Sequence, residues 1–108
     1  MFDLIIKNGK VNTGAGNPWF KADIGISGDK IIEIGKIDEE AKAVLDADGM
    51  IVCPGFIDLH TQGGCGHDVW MGTAEALEGW SRCQARHGVT SYMLTTGYDT
   101  DGFDVLVE

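Results

Sequence analysis

The residues of this chain best suited to chemistry lie within eight positions of one another. His60 and Gln62 stand two apart at the end of an apolar run, and Gly63, Gly64, Cys65, Gly66 and His67 follow at once, with Asp68 next. Side chains two apart on a strand point to the same face. A His-x-His pair in that arrangement holds a metal ion edge-on, because neutral imidazoles are good ligands for zinc-like ions and the strand fixes their separation. Here the second position is a glutamine, whose amide oxygen is a poorer zinc ligand. His60 and Gln62 are therefore expected to bind a metal more weakly than two histidines would. Gly63, Gly64 and Gly66 are expected to form a flexible loop over the strand mouth, where backbone amides and His67 could approach a substrate. A lone strand-end histidine is more often a hydrogen-bonding residue than a ligand. Cys65 and His67 together fall short of the four ligands a structural zinc takes.

The elements that must position these residues can be read from periodicity. The run MIVCPGFIDLH, Met50 to His60, is almost continuously apolar, as expected for a strand covered on both faces. Pro54 cannot donate to a ladder, so the strand is expected to begin near Phe56. Thr73 to His87 has a helical pattern, with Ala76, Leu77, Trp80 and Cys83 on one face. Thr73 suits the N-cap, Glu75 and Glu78 the positive end, Arg82, Arg86 and His87 the negative end, and Gly88 the stop. Val89 to Thr96 reads as the next strand, and Thr100 or Asp101 as the cap of a second helix reaching Glu108. This order of strand, helix, strand, helix belongs to a parallel βα barrel or a doubly wound sheet. Trp80, Met71 and Met93 are read as packing residues, and Asp99, Asp101 and Asp104 as caps and solvated surface.

The first fifty residues have a different texture. Phe2 to Lys7 is a β-branched run that Asn8-Gly9 is expected to end. Ala22 to Ile26 and Lys30 to Ile34 flank the hairpin signal Gly28-Asp29, and Ala43 to Ala47 leads to the turn Asp48-Gly49. A β-meander is expected. Gly14 and Gly16 resemble a phosphate loop only superficially, since no helix pattern follows them.

Composition narrows the partners. The formal charge of -9, from 17 acidic and 8 basic residues, disfavours nucleic acid and anionic membranes. A small-molecule substrate is expected, with no nucleic-acid or membrane partner. No apolar run is long enough to span a bilayer and Met1 leads into no signal-type segment, so a cytoplasmic location is expected. Cys53, Cys65 and Cys83 are odd in number and contain no CxxC pair, which suggests reduced thiols.

The segments DLIIKNGKVNTGAGNPWFKADIGISGDKIIEIGKI and VLDADGMIVCPGFIDLHT resemble the start of the amidohydrolase superfamily. Up to Pro54 the likeness is to N-acyl-D-amino-acid deacylases, dihydropyrimidinases and dihydroorotases. Beyond it, GGCGHD, GTAEALE, ARHGVTS and TT are similar to N-acetylglucosamine-6-phosphate deacetylases. The resemblance implies an α/β fold: part of a small β-sandwich over residues 1–52, then the first two βα units of an incomplete TIM-like barrel over residues 53–108. It matches His60 to the first histidine of the family's metal pair, Gln62 to the second, and Gly63 to Gly66 to the glycine loop. Asp58 matches a recurrent aspartate with a structural role. The implied activity is hydrolysis of an amide C–N bond by a divalent metal, expected to be zinc, with an N-acetyl amino-sugar phosphate as the first substrate class. N-acyl-D-amino acids and cyclic amides are the alternatives. No catalytic residue of the family falls within this chain, and two barrel strands cannot close a barrel. A 108-residue piece is expected to be inactive by itself, and its open strand edges to favour homo-oligomers or a self-associating remnant.

Overall fold

The computed structural model describes residues 1–95. They fall into two compact units, the first Met1–Pro54 and the second beginning at Gly55.

The first unit is built on β1 (Phe2–Val11), β2 (Phe20–Ser27), β3 (Lys30–Gly35), β4 (Ala41–Asp46) and the short β5 (Ile51–Val52). The order is β3-β2-β1-β4, and β5 also pairs with β1. Strands β1, β2 and β3 are the expected meander, with Gly28-Asp29 as the hairpin turn. Two features depart from expectation. Strand β4 pairs parallel to β1, with Leu4 opposite Ala43 and Ile6 opposite Leu45. Asn8-Gly9 does not end β1 but forms a bulge inside it, because asparagine tolerates the left-handed conformation it adopts there, φ 61°.

Asp23 holds that bulge. Its carboxylate accepts the Asn8 N–H at 2.9 Å, the Ile37 N–H at 3.1 Å and the Lys7 ammonium at 3.1 Å, while Lys7 also donates to the Ile37 carbonyl. Burial by itself would raise the Asp23 pKa, but the two backbone N–H groups and Lys7 outweigh it, and the carboxyl is held below its ordinary value.

Phe2, Ile5 and Ile37 pack as one small core. Gly25 is required beside it, since a Cβ there would lie 2.6 Å from Phe2 Cε1. On the opposite face, Leu45, Ile6, Ile24 and Ile34 line up across four strands. Leu45 and Ile34 at the ends of that row are exposed. Among the described residues this unit is one sheet, a single layer of the sandwich that the resemblance implies.

The second unit contains β6 (Phe56–Thr61), a two-residue ribbon β7 (Gly63–Gly64) and β8 (His67–Asp68), helix α1 (Ala74–Arg86) and β9 (Val89–Leu94). Strand β6 begins at the expected residue and pairs parallel to β9, with α1 between them in sequence. Helix α1 follows the reading of its ends. Thr73 Oγ1 accepts the Ala76 N–H at 3.2 Å, and Gly88 takes φ 84° just past the last turn. Arg82 pairs with Glu78 one turn back.

Strand β6 is not covered on both faces among the described residues, since Phe56, Ile57 and Leu59 are each more than 60% exposed. Met71 and Met93, expected to be packed, are exposed as well. The second helix, with Thr100, Asp101 and the acidic group Asp99, Asp101 and Asp104, lies outside the described residues, so one strand–helix–strand unit is what stands. No helix among the described residues is long and apolar enough to cross a membrane.

Candidate functional site

The glycine-rich segment is not a flexible loop but a tight hairpin. Gly63 faces Asp68 and Gly64 faces His67 in an antiparallel pair, and Cys65-Gly66 form its two-residue turn. Both turn residues have positive φ, 52° at Cys65 and 82° at Gly66, the geometry of a type I′ turn matched to strand twist. Gly63 is needed because a Cβ would meet the His67 carbonyl oxygen at 2.4 Å. The Gln62 carbonyl accepts the Val69 N–H at 2.9 Å, closing the base of the hairpin. Asp68 then accepts the Trp70 N–H at 2.6 Å and starts a turn of 3-10 helix over Val69–Met71.

Helix α1 supports the hairpin from one side through two contacts. The Trp80 ring lies against Gly64, so Trp80 does pack as expected, and the His67 ring lies against Gly79. A third link is covalent: Cys65 in the turn is joined to Cys83 on α1, with their Cα atoms 6.3 Å apart. Two of the three cysteines expected to be reduced are therefore paired, and Cys53 alone is free among the described residues. Sequence spacing could not show this, because the hairpin that brings Cys65 back over α1 is a tertiary feature. The bond also removes Cys65 as a metal ligand beside His67.

The hairpin encloses an open concavity of about 470 Å³ lined by Gln62, Gly63, Gly64, Gly66, His67, Asp68 and Met71. All the expected substrate-loop residues are brought together there with Gln62. His60 does not line the concavity; it is exposed near the end of β6. Asp68 and Met71 also line the concavity, although sequence reading assigned Asp68 no role beyond following the loop and Met71 only that of a packing residue, and Gly79 was not singled out. The signal available for Gly79 was a glycine inside an otherwise regular helical pattern.

Comparison with known proteins places this geometry. No family model matches the chain. An allantoinase of Salmonella choleraesuis is 45% identical over 91 residues, which is 83% of this chain and 19% of the allantoinase. The solved N-acyl-D-glutamate deacylase of Bordetella bronchiseptica, complexed with zinc and a phosphonate inhibitor, matches with a TM-score of 0.67 at 29% identity. That match covers 86% of this chain and 18% of the deacylase. The chain belongs to the amidohydrolase superfamily. It spans about a fifth of the length of the curated relative, and corresponds to the N-terminal part of these amidohydrolases. The solved N-acetyl-D-glucosamine-6-phosphate deacetylase of Mycobacterium smegmatis shares the fold, with a TM-score of 0.72 over 86% of this chain and 26% of that one at 22% identity.

The zinc in the solved deacylase supports a divalent metal in this amidohydrolase family. The donor set described in this chain would fit such an ion only as part of a larger set. His60 offers an imidazole and Gln62 an amide oxygen, and no three His, Cys, Asp or Glu side chains among the described residues converge. Any centre built on His60 would draw its other ligands from beyond those residues.

Proposed function

We propose that this chain is the N-terminal part of a metal-dependent amidohydrolase that deacetylates an N-acetyl amino-sugar phosphate. The observation that carries the reading is the concavity formed by the glycine hairpin at the C-terminal end of β6. In a βα barrel that is the end where active sites are built. Its lining of glycine backbone, the His67 imidazole, the Gln62 amide and the Asp68 carboxylate suits a polyhydroxylated substrate better than an apolar one. A divalent ion, for which we propose zinc, would supply an acidified water and polarise the amide carbonyl. His60 would hold it, with Gln62 a weaker neighbour. Within the chain the work falls to Gly63, Gly64, Gly66 and His67, which would position the substrate.

A second reading has two forms: a cyclic-amide hydrolase, favoured by the 45% identity with an allantoinase, and an N-acyl-D-amino-acid deacylase, favoured by the likeness to the solved N-acyl-D-glutamate deacylase. The full-length protein, assayed on N-acetyl sugar phosphates, N-acyl-D-amino acids and cyclic amides, separates the two. Turnover of the sugar phosphate in preference to the others supports the first reading, and preference for either of the others replaces it. We propose a cytoplasmic location for the full-length protein.

A further inference from the structure

The register between β6 and β9 shifts at two places, between Phe56 and Ile57 at the start of β6 and between Asp58 and Thr61 beside His60. Asp58 pairs with Tyr92, but the next partners are Thr61 and Leu94, three residues along β6 against two along β9. The extra residue leaves Leu59 and His60 without register partners and marks a bulge, a device that re-aims side chains. Burial records the change of face: Asp58 and Thr61 are wholly or partly buried, while Leu59 and His60 are exposed.

One side chain spans this bulge. Asp58 Oδ1 accepts the backbone N–H of His60 at 3.1 Å, the group displaced from the ladder. Asp58 Oδ2 accepts Nε2 of Gln84 on α1 at 3.2 Å. Gln84 is only 6% exposed, so its amide cannot turn to water without disturbing the helix contact. A carboxylate accepting from a strand N–H on one oxygen and a buried amide on the other is fixed at both ends.

We propose that Asp58 is a positioning residue for His60: by pinning the bulge to α1, it sets the direction in which the imidazole leaves the open end of β6. The inference rests on the reading above that His60 reaches a metal. It goes beyond a structural role for Asp58, because it ties the residue to the ligand geometry and not merely to stability.

The test compares Asp58→Ala, Asp58→Asn and His60→Ala with the unaltered full-length protein. The readouts are amide hydrogen exchange at His60 and zinc affinity by competition with a chromophoric chelator. Asp58→Ala removes the acceptor, and His60 exchange should rise about tenfold or more. Its zinc affinity should fall by about 10- to 100-fold, the usual effect of losing a residue that orients a ligand. Asp58→Asn keeps an acceptor for His60, and its new amide can pair with the Gln84 carbonyl after a flip. It should therefore retain slow exchange and most of the affinity, and it keeps the test decisive should the alanine variant misfold. Unchanged exchange and affinity in Asp58→Ala would overturn the proposal, as would an asparagine variant as impaired as the alanine one. Zinc binding by the unaltered protein no tighter than by His60→Ala would instead overturn the metal reading, leaving the exchange data to judge the positioning.

Discussion

Replacing Gly79 with alanine should separate the stability of helix α1 from the position of His67. A Cβ at residue 79 would lie 2.3 Å from His67 Nε2, 2.4 Å from Cε1 and 2.6 Å from Cδ2. Ordinary contacts between such atoms are about 3.5–4.0 Å, so the ring must retreat by roughly 1 Å or more. His67 borders an open concavity, and its ring can swing outward without displacing backbone. The helix meanwhile gains about 1 kcal/mol from exchanging glycine for alanine in its interior. Packing lost by the imidazole works against that gain, and the net change in stability should stay within about 1 kcal/mol of zero. The substrate site should change far more than the fold. In the full-length protein, denaturant unfolding should give a nearly unchanged midpoint, while KM for the proposed N-acetyl sugar phosphate substrate rises and the His67 ring resonances shift. A variant with unmoved His67 resonances and unchanged KM would refute the placement of His67 against α1 and its part in the site.

Three further outcomes follow from the same contacts. Gly64→Ala should cost about 1–3 kcal/mol, because its Cβ would meet the Trp80 ring at 2.6 Å and force that packed ring to shift; equal stability by thermal unfolding would contradict this. Asp23→Ala should destabilise the first unit by about 2–4 kcal/mol, below the roughly 3–5 of a fully buried pair, since the Lys7 side chain is 27% exposed. With its folded pKa held down, Asp23 contributes stability above its unfolded value of about 3.9 and loses that contribution as the pH falls through the folded pKa. Unfolding curves taken from pH 6 downward should therefore converge for wild type and Asp23→Asn, and parallel curves would be the contrary result. The 108-residue chain isolated without reductant should show one reactive thiol, Cys53, and three after reduction, with a loss of about 3 kcal/mol from opening a loop whose ends lie 18 residues apart in sequence. Three thiols in air-exposed protein would contradict the Cys65–Cys83 bond.

Much of this fold was legible because the deciding physics is local. Thr73 and Gly88 bracket α1 with a side-chain cap and a left-handed glycine, both readable from residue type and spacing. Gly28-Asp29 marks its hairpin for the same reason, and Pro54 marks the start of β6 by the hydrogen bond it cannot make. What was not legible depends on distant partners. The parallel pairing of β4 with β1 leaves no trace in either segment, and Asn8-Gly9 serves equally as a turn or as a bulge until Asp23 arrives to satisfy the Asn8 N–H. The segment GGCGHD was read as a flexible loop on its glycine content. It folds as a hairpin because Cys65 accepts a positive φ beside Gly66, while α1 holds the ribbon through Gly64, His67 and Cys65. The candidate site was legible as a set of residues, though not as an arrangement. Gln62 and the glycine segment do come together, whereas His60 lies outside their concavity, turned by a bulge that the run PGFIDLH does not announce.

The central claim is that this chain helps to build a metal-dependent amide hydrolase. Its most direct test is to strip the full-length protein of metal with a chelator and follow release of the free amine from an N-acetyl amino-sugar phosphate, before and after zinc is restored. Activity lost on stripping and regained with zinc, with His60→Ala needing a higher zinc concentration for the same recovery, is the predicted result. Full activity in the stripped protein, or no amide hydrolysis with zinc present across all three substrate classes, would contradict it.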